Sequence, residues 1–365
     1  MNPLQQLHQH GQSVWLDYIS RELLTGGGLR RLIEDDGLRG MTSNPSIFQK
    51  AITTGKAYDE AVRRFVGANP KADSEAIYEA LAIEDIRMAA DQLRPVYDAS
   101  GGADGFVSLE LSPRLARDTG RSIEQGRRLW KAVGRPNLML KVPSTPEGIP
   151  VVATLLAEGI NINITLMFSM AHYDAVASAY LQGVARAADP SSVASVASFF
   201  VSRVDTLVDK QLDAIGSPAA LALRGRVAVA NSKRVYHRFR EIFHGEAFAA
   251  LRRRGARVQR PLWGSTSTKN PAYSDVLYVE ELIGPDTVNT LPTETVDAFR
   301  DHGRPRDSLL SGIEEANAVF ASLEALGVDM HAATERLQVE GVDAFAKAYE
   351  QLLAALDEKA RAVTA

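Results

Sequence analysis

Eight short runs rich in β-branched and apolar residues alternate with long stretches of helical period, and this alternation leaves few folds open to the 365-residue chain. The runs are 13–18 (SVWLDY), 38–43 (LRGMTS), 105–111 (GFVSLEL), 137–143 (NLMLKVP), 160–168 (ININITLMF), 194–202 (ASVASFFVS), 257–265 (RVQRPLWGS) and 286–291 (DTVNTL). The stretches 74–98, 113–133 and 170–187 repeat their apolar residues at helical spacing and are expected to be amphipathic helices. Strands that alternate with helices pair in parallel through right-handed crossovers, and eight of them close a barrel. An α/β fold of the (β/α)8 TIM-barrel type is expected, with a doubly wound open sheet as the alternative. Two stretches exceed the minimal barrel, about 45–100 and about 205–256, and a helical tail follows at about 306–362. No internal repeat, low-complexity segment or Pro/Ser-rich linker divides the chain, so residues 1–365 are expected to form one domain.

Composition narrows the function classes. With 45% hydrophobic and 24% charged residues the chain is ordinary for a globular protein. Its formal net charge of -4 offers no basic excess with which to bind nucleic acid, so anionic small substrates need local cations. Cysteine is absent, which excludes disulfides, thiolate zinc sites and cysteine nucleophiles. The seven histidines are scattered without a third acidic ligand at recognisable spacing; His237 and His244 share a helix face and read as surface or helix-end residues. The N-terminal MNPLQQLHQHGQSVWLDY lacks the basic and apolar regions of a signal peptide. No run of ~18 apolar residues predicts a membrane span. A cytoplasmic protein with neither nucleic-acid nor membrane partners is expected.

Barrel active sites form at the C-terminal ends of the strands. Here those ends carry Asp17, Asn44, Glu110, Lys141, Asn163 with Thr165, Ser198 with Arg203, and Ser265. Each alone reads as a strand-end residue bonding a loop; together, in a barrel, they converge on one axis. Lys141 is the sharpest of them, because three apolar residues precede it in NLMLKVP. Burial disfavours an ammonium, and a neutral amine is the nucleophile that forms an imine with a ketone. The alternative is an edge-strand lysine snorkelling to solvent. Lys233, among the charges of NSKRVYHRFR, reads as solvated surface. Aldol chemistry through an imine also needs proton shuttling. Glu110 and Asp17 are the right residue types for it, and Thr165 can hold a water between them and the imine.

Two further motifs carry less. Gly26-Gly27-Gly28 reads as a helix-ending turn rather than a phosphate cradle. Arg252-Arg253-Arg254 reads as a solvated helix end, with cations near the negative end of the dipole.

The chain resembles the transaldolases, in the longer bacterial subgroup with extra helical insertions. The resemblance runs from about residue 13 to 300, through WLD at Trp15–Asp17, TSNPSIF at Thr42–Phe48, SLEL at Ser108–Leu111, LKVPST–EGI across Leu140–Ile149, GININITLMFS at Gly159–Ser169 and SFFVSR at Ser198–Arg203. The strand-four lysine followed by EGI and then N-x-T-L-x-F-S is shared with the related fructose-6-phosphate aldolases. The resemblance implies a pentose-phosphate-pathway transferase needing no cofactor, a monomer or homodimer acting on small sugar phosphates. Such an enzyme moves a dihydroxyacetone unit reversibly from sedoheptulose 7-phosphate to glyceraldehyde 3-phosphate, giving erythrose 4-phosphate and fructose 6-phosphate.

By position, the resemblance makes Lys141 the Schiff-base lysine and Asp17 the base for the cleaved hydroxyl. Glu110 and Thr165 become the proton-transfer pair around a catalytic water. Asn44 and Asn163 are implied to contact donor hydroxyls, and Ser198 and Arg203 to bind the phosphate; Ser265 and Lys269 are further candidates for binding substrate. The chain departs from the familiar pattern in GSTSTKN, where Lys269 stands near an expected arginine, and in Phe199 and Ser202, where Pro and Gly are more usual. An aldolase resembling the fructose-6-phosphate aldolases is the competing enzyme; those chains look shorter and carry tyrosine in place of the strand-three glutamate. A catalytically silent binding barrel is the competing non-enzyme.

Overall fold

The structure, a computed structural model, describes residues 2–364. Its eight strands are β1 Gln12–Asp17, β2 Gly40–Thr42, β3 Phe106–Glu110, β4 Leu138–Pro143, β5 Ile162–Met167, β6 Ser195–Phe200, β7 Arg260–Gly264 and β8 Thr287–Leu291. Every neighbouring pair is parallel, and β8 pairs back onto β1, with Val14 opposite Asn289 and Trp15 opposite Thr290, closing the barrel. All eight expected runs are strands, and the open sheet is excluded.

Alternation along each strand builds two cores. Outward residues such as Leu16, Val107, Leu109, Leu140, Val142, Ile162, Ile164 and Ala197 join the large cluster packed against the helices. Inward residues form a separate apolar floor of Trp15, Phe106, Met139, Ala194, Val196, Leu262 and Val288 inside the barrel. Gly40, opposite Trp15, leaves room for that floor, since a Cβ there would meet the indole at 2.5 Å. Two residues beyond the floor, on the same inward face, stand Asp17, Ser108, Lys141, Ser198 and Thr290.

The helical expectations hold with two adjustments. The 74–98 and 170–187 stretches are the helices Ser74–Ala99 and Met170–Arg186. The 113–133 stretch is not one helix. A 3-10 turn at Pro113–Leu115 gives way at Asp118, whose side chain accepts from the Arg121 amide and starts the helix Thr119–Val133. Lys233 is not solvated surface: it is largely covered and lies 3.8 Å from Glu281.

Gly26 caps the helix Arg21–Thr25, and Gly27, at φ 76, starts the turn into the helix Gly28–Asp36. The surplus at 45–100 is three helices, Pro45–Thr53, Asp59–Ala68 and Ser74–Ala99. That at 205–256 holds the helices Ser202–Ile215, Pro218–Leu221, Val227–Phe243 and Ala249–Arg253. The tail comprises Ile313–Ala325 and the long helix Met330–Thr364. No helix among the described residues is long and apolar enough to cross a membrane.

The terminal helix Met330–Thr364 lies across the C-terminal ends of the strands. Gln338 Nε2 donates to the Ser144 carbonyl at 3.1 Å and the Leu166 carbonyl at 3.3 Å. Arg114 holds Glu350 through two bonds of 2.7 and 2.8 Å. Gly341 sets the close approach, because a Cβ there would stand 2.8 Å from a Leu166 methyl. Leu166 itself sits at φ 63, where the β5 register shifts between Ile164 and Met167. That backbone conformation costs a non-glycine residue about 1–3 kcal/mol, and packing of the helix against Leu166 holds it.

Candidate active site

Lys141 enters the barrel interior above Met139 and is 4% exposed. Its Nζ lies 3.3 Å from Glu110 Oε2 on the adjacent strand and donates to the Ser43 carbonyl at 3.3 Å. The Phe345 ring of the terminal helix covers it, with Nζ 5.6 Å from the ring centroid. Lys141 is therefore an interior lysine, and the snorkelling alternative is excluded.

Two carboxyls face this amine. Burial pushes Glu110 up to about 7, against the pull of the Lys141 ammonium. Asp17 ends β1 and accepts a 2.6 Å hydrogen bond from Thr42, whose hydroxyl also meets Thr290 at 2.7 Å. Burial raises the Asp17 carboxyl too, while Lys141 and the Thr42 bond draw it back down. Thr165 Oγ1 is buried with no hydrogen-bonding partner among the described residues, and Glu110 Oε2 is buried with Lys141 Nζ, 3.3 Å away, as its one polar contact among them. Each therefore retains capacity to bond a small polar molecule.

Asp17, Lys141 and Phe345 line a cavity of about 180 Å³ at the mouth, together with Asn44, Ser198, Arg203, Ser265 and Lys269. Arg203 stacks over Phe200, 5.2 Å from ring centroid to guanidinium, and burial lowers its pKa. It has no ion-pair partner among the described residues. The nearby acids are committed elsewhere: Asp205 accepts from the Ala228 amide and Tyr278, and Asp209 from the Gly225 amide and Tyr273. Lys269 is exposed and donates to Ser267 at 2.6 Å.

Other sequence candidates are engaged within the protein. Asn44 caps the helix Pro45–Thr53 by accepting from the Ile47 amide at 3.0 Å. Asn163 is fully buried; it donates to Ser108 at 3.0 Å and accepts from Ser198 at 2.6 Å. It does not line the mouth cavity, so it positions Ser198 rather than presenting itself. The unusual Ser202 bonds Ser265 through both side chains, 2.9 Å apart, and its amide reaches the Ser265 carbonyl at 3.0 Å. Ser265 adopts φ 55 there. The two loops beyond β6 and β7 are thereby tied together. The unusual Phe199 faces outward against Trp263, with ring centroids 6.3 Å apart, and leaves the mouth unaltered.

Sequence reasoning missed Phe345, Phe200, Thr42 and Glu294 as walls of this cavity. Only Phe345 had a signal, the helical spacing of the tail, and that spacing does not say which strand end the helix covers. No cluster of three or more His, Asp or Glu side chains arranged to hold a metal occurs among the described residues.

A closed parallel barrel with an interior lysine, two carboxyls of raised pKa and an arginine without an ion-pair partner among the described residues defines a class: a (β/α)8 protein whose polar groups converge at the C-terminal strand ends, where enzymes of this fold place their active sites. Residues 14–356 match the family model described as Transaldolase/Fructose-6-phosphate aldolase. The transaldolase of Thiobacillus denitrificans is 49% identical over 358 residues, spanning 97% of this chain and 99% of that one. Those of Mycobacterium marinum and Thermobifida fusca are each 48% identical, over 96% of both chains. The chain belongs to the transaldolase/fructose-6-phosphate aldolase family.

Proposed function

We propose that the chain is a transaldolase that carries a dihydroxyacetone unit on Lys141. The observation that carries this reading is an interior lysine 3.3 Å from a carboxyl at the C-terminal end of a closed barrel. In the forward step the Lys141 amine adds to the ketose carbonyl, and loss of water gives an imine. Asp17 then accepts the proton of the hydroxyl on the fourth carbon as the bond to the third carbon breaks. The bonding electrons move into the imine, leaving an enamine on Lys141 and releasing an aldose phosphate. An acceptor aldehyde reverses each step. Water loss needs an acid, and a carboxyl with a pKa of about 7 donates and recovers a proton near neutrality. A water held between Glu110 and Thr165 would satisfy the unpartnered Thr165 hydroxyl and carry that proton.

Arg203 is the principal phosphate ligand in this reading, since its planar fork matches phosphate oxygens and no carboxylate among the described residues pairs with it. Ser265 and Lys269 assist, with Ser198 and Asn44 toward the hydroxyls. Phe345 keeps solvent from the enamine so that an aldehyde, not water, discharges it. Substrates are small sugar phosphates, and the reading includes a cytoplasmic monomer or homodimer.

The test supplies fructose 6-phosphate and erythrose 4-phosphate together and then separately. Transfer requires both, and free dihydroxyacetone accumulates slowly without the acceptor. Release without acceptor at the full transfer rate would make the protein an aldolase. Borohydride added with fructose 6-phosphate should fix a mass adduct on the Lys141 peptide, and an adduct on another lysine overturns the assignment.

A further inference from the structure

A second cavity, of about 500 Å³, opens at the other end of the barrel. Its roof is the underside of the floor, including Phe106 and Met139, and its walls come from residues that precede strands. Arg39 comes just before β2, Arg257 three residues before β7, and Arg260 opens β7, while Arg252 lies in the last turn of the preceding helix. Four guanidinium groups thus meet two lining carboxylates, Asp104 and Asp286, in a chain whose formal net charge is -4.

Internal partners do not cancel this charge. Asp104 is taken up by Arg260 at 3.3 Å and by the Trp15 indole at 2.9 Å, with Ser13 donating as well. Asp286 lies 3.2 Å from His244. Among the described residues, Arg257 donates to the Gly101 and Gly102 carbonyls and Arg252 to the Phe243 carbonyl. Bonds to carbonyls orient a guanidinium without neutralising it. Arg39 makes no side-chain hydrogen bond or ion pair among the described residues, and its Nε is buried without a partner. His8 at the rim responds to the same field: burial lowers its pKa, and Arg39 and Arg260 lower it further against the opposing pull of Asp104.

We propose that this cavity is a phosphate-binding site, taking inorganic phosphate or a small phosphate ester on Arg39, Arg257 and Arg260. A phosphate dianion matches the excess of two guanidinium groups over carboxylates. Tetrahedral oxygens suit the guanidinium fork, and partly enclosed walls strengthen the attraction. The apolar roof leaves room for the carbon body of an ester. The site lies at the opposite end of the barrel from Lys141, so it stands independently of the reaction assigned to the mouth.

Calorimetry at low ionic strength on the Arg203→Ala chain, which lacks the phosphate contact at the mouth, tests the proposal. Inorganic phosphate and glycerol 3-phosphate should each bind saturably, one per chain. Tighter binding of the ester identifies an organic phosphate as the ligand, and equal or weaker binding identifies free phosphate. Adding Arg39→Gln should weaken binding roughly tenfold or more, the scale of one lost charge-assisted hydrogen bond. Because the Arg39 side chain makes no hydrogen bond or ion pair among the described residues, its replacement should leave the phosphate-free melting temperature and the turnover of the otherwise unaltered enzyme in place. The exposed Arg253→Gln is the control and should change neither. Absence of saturable binding in the Arg203→Ala chain, or equal binding with and without Arg39, overturns the site.

Discussion

The barrel interior holds two layers made by the same strands, and they differ in almost everything but position. The floor is apolar, with Trp15, Met139, Val196 and Val288 each at most 1% exposed beside Phe106 and Leu262. One pleat higher, the same strands present Asp17, Lys141, Ser198 and Thr290. The floor carries stabilisation through close packing, at roughly 25 cal/mol per Å² of apolar surface removed from water. The upper layer gives some of that up, because it holds an ammonium and two carboxyls away from bulk solvent. Adjacent layers thus divide the labour: one fixes the barrel, and the other exploits the environment so created to shift proton affinities. Substitutions in the two layers should separate stability from turnover.

The largest effect is expected at Lys141. Lys141→Met should lower transfer to background and abolish the borohydride adduct while the circular-dichroism melt still shows a folded barrel. Retained transfer would place the nucleophile elsewhere. Met139→Ala, one pleat below, should do the reverse. Truncating a buried methionine costs about 2–5 kcal/mol in a denaturant titration. Catalytic efficiency per folded molecule should stay within a few-fold, and a selective loss of turnover at full stability would erase the distinction between layers.

Glu110→Gln sharpens the comparison, because it alters charge without much altering shape. Turnover should fall roughly 100-fold or more, the usual scale of general acid–base help. It should also lose an inflection near pH 7. The stability effect has a definite sign. Folding raises the Glu110 pKa to about 7 from its ordinary value of 4.5, so the folded state binds the proton more tightly than the unfolded state. Its contribution is fully present below pH 4.5 and is lost as pH rises to about 7. The Gln variant mimics the protonated side chain, so its melting temperature relative to the parent should improve between pH 4.5 and pH 8. A constant difference across that range contradicts the raised pKa.

The smallest effects belong at the rim. Arg203→Ala should raise the Michaelis constant for phosphorylated donors about tenfold or more, on the scale of a lost charge-assisted bond, and bring phosphorylated and unphosphorylated substrates closer in efficiency. Lys269→Ala, at an exposed and screened position, should cost only a few-fold. Equal weakening of both substrate types by Arg203→Ala would make that residue structural.

The strands and their inward polar residues were legible in the sequence because the two-residue period of a strand writes directly into the order of residue types. Lys141 after three apolar residues is the clearest case, though the pattern alone left an edge-strand position open until the closed barrel removed it. The engagement of side chains was not legible. Asn163 and Ser198 look alike as strand-end donors, yet a 2.6 Å bond between them buries the first beneath the second. Arg203 has acidic neighbours in sequence, but tyrosine hydroxyls and helix amides had already claimed them. Asp118 broke a stretch that reads as continuous helix, since capping is decided by local backbone geometry rather than apolar spacing. Phe345 was legible only as a position on a helix, because helical spacing says that a face is covered and not what lies beneath it.

The helix bearing Phe345 also sets an order of events during synthesis. All eight strands, and every strand-borne group of the mouth, precede residue 330 in the chain. A ribosome therefore delivers the lysine, its carboxyls and the arginine long before it delivers their cover. A product terminated early would not simply lack the site; it would carry the Lys141 amine without the Phe345 ring over it. Under the proposed reaction, completion of the chain is thus what covers the lysine before it meets its substrate.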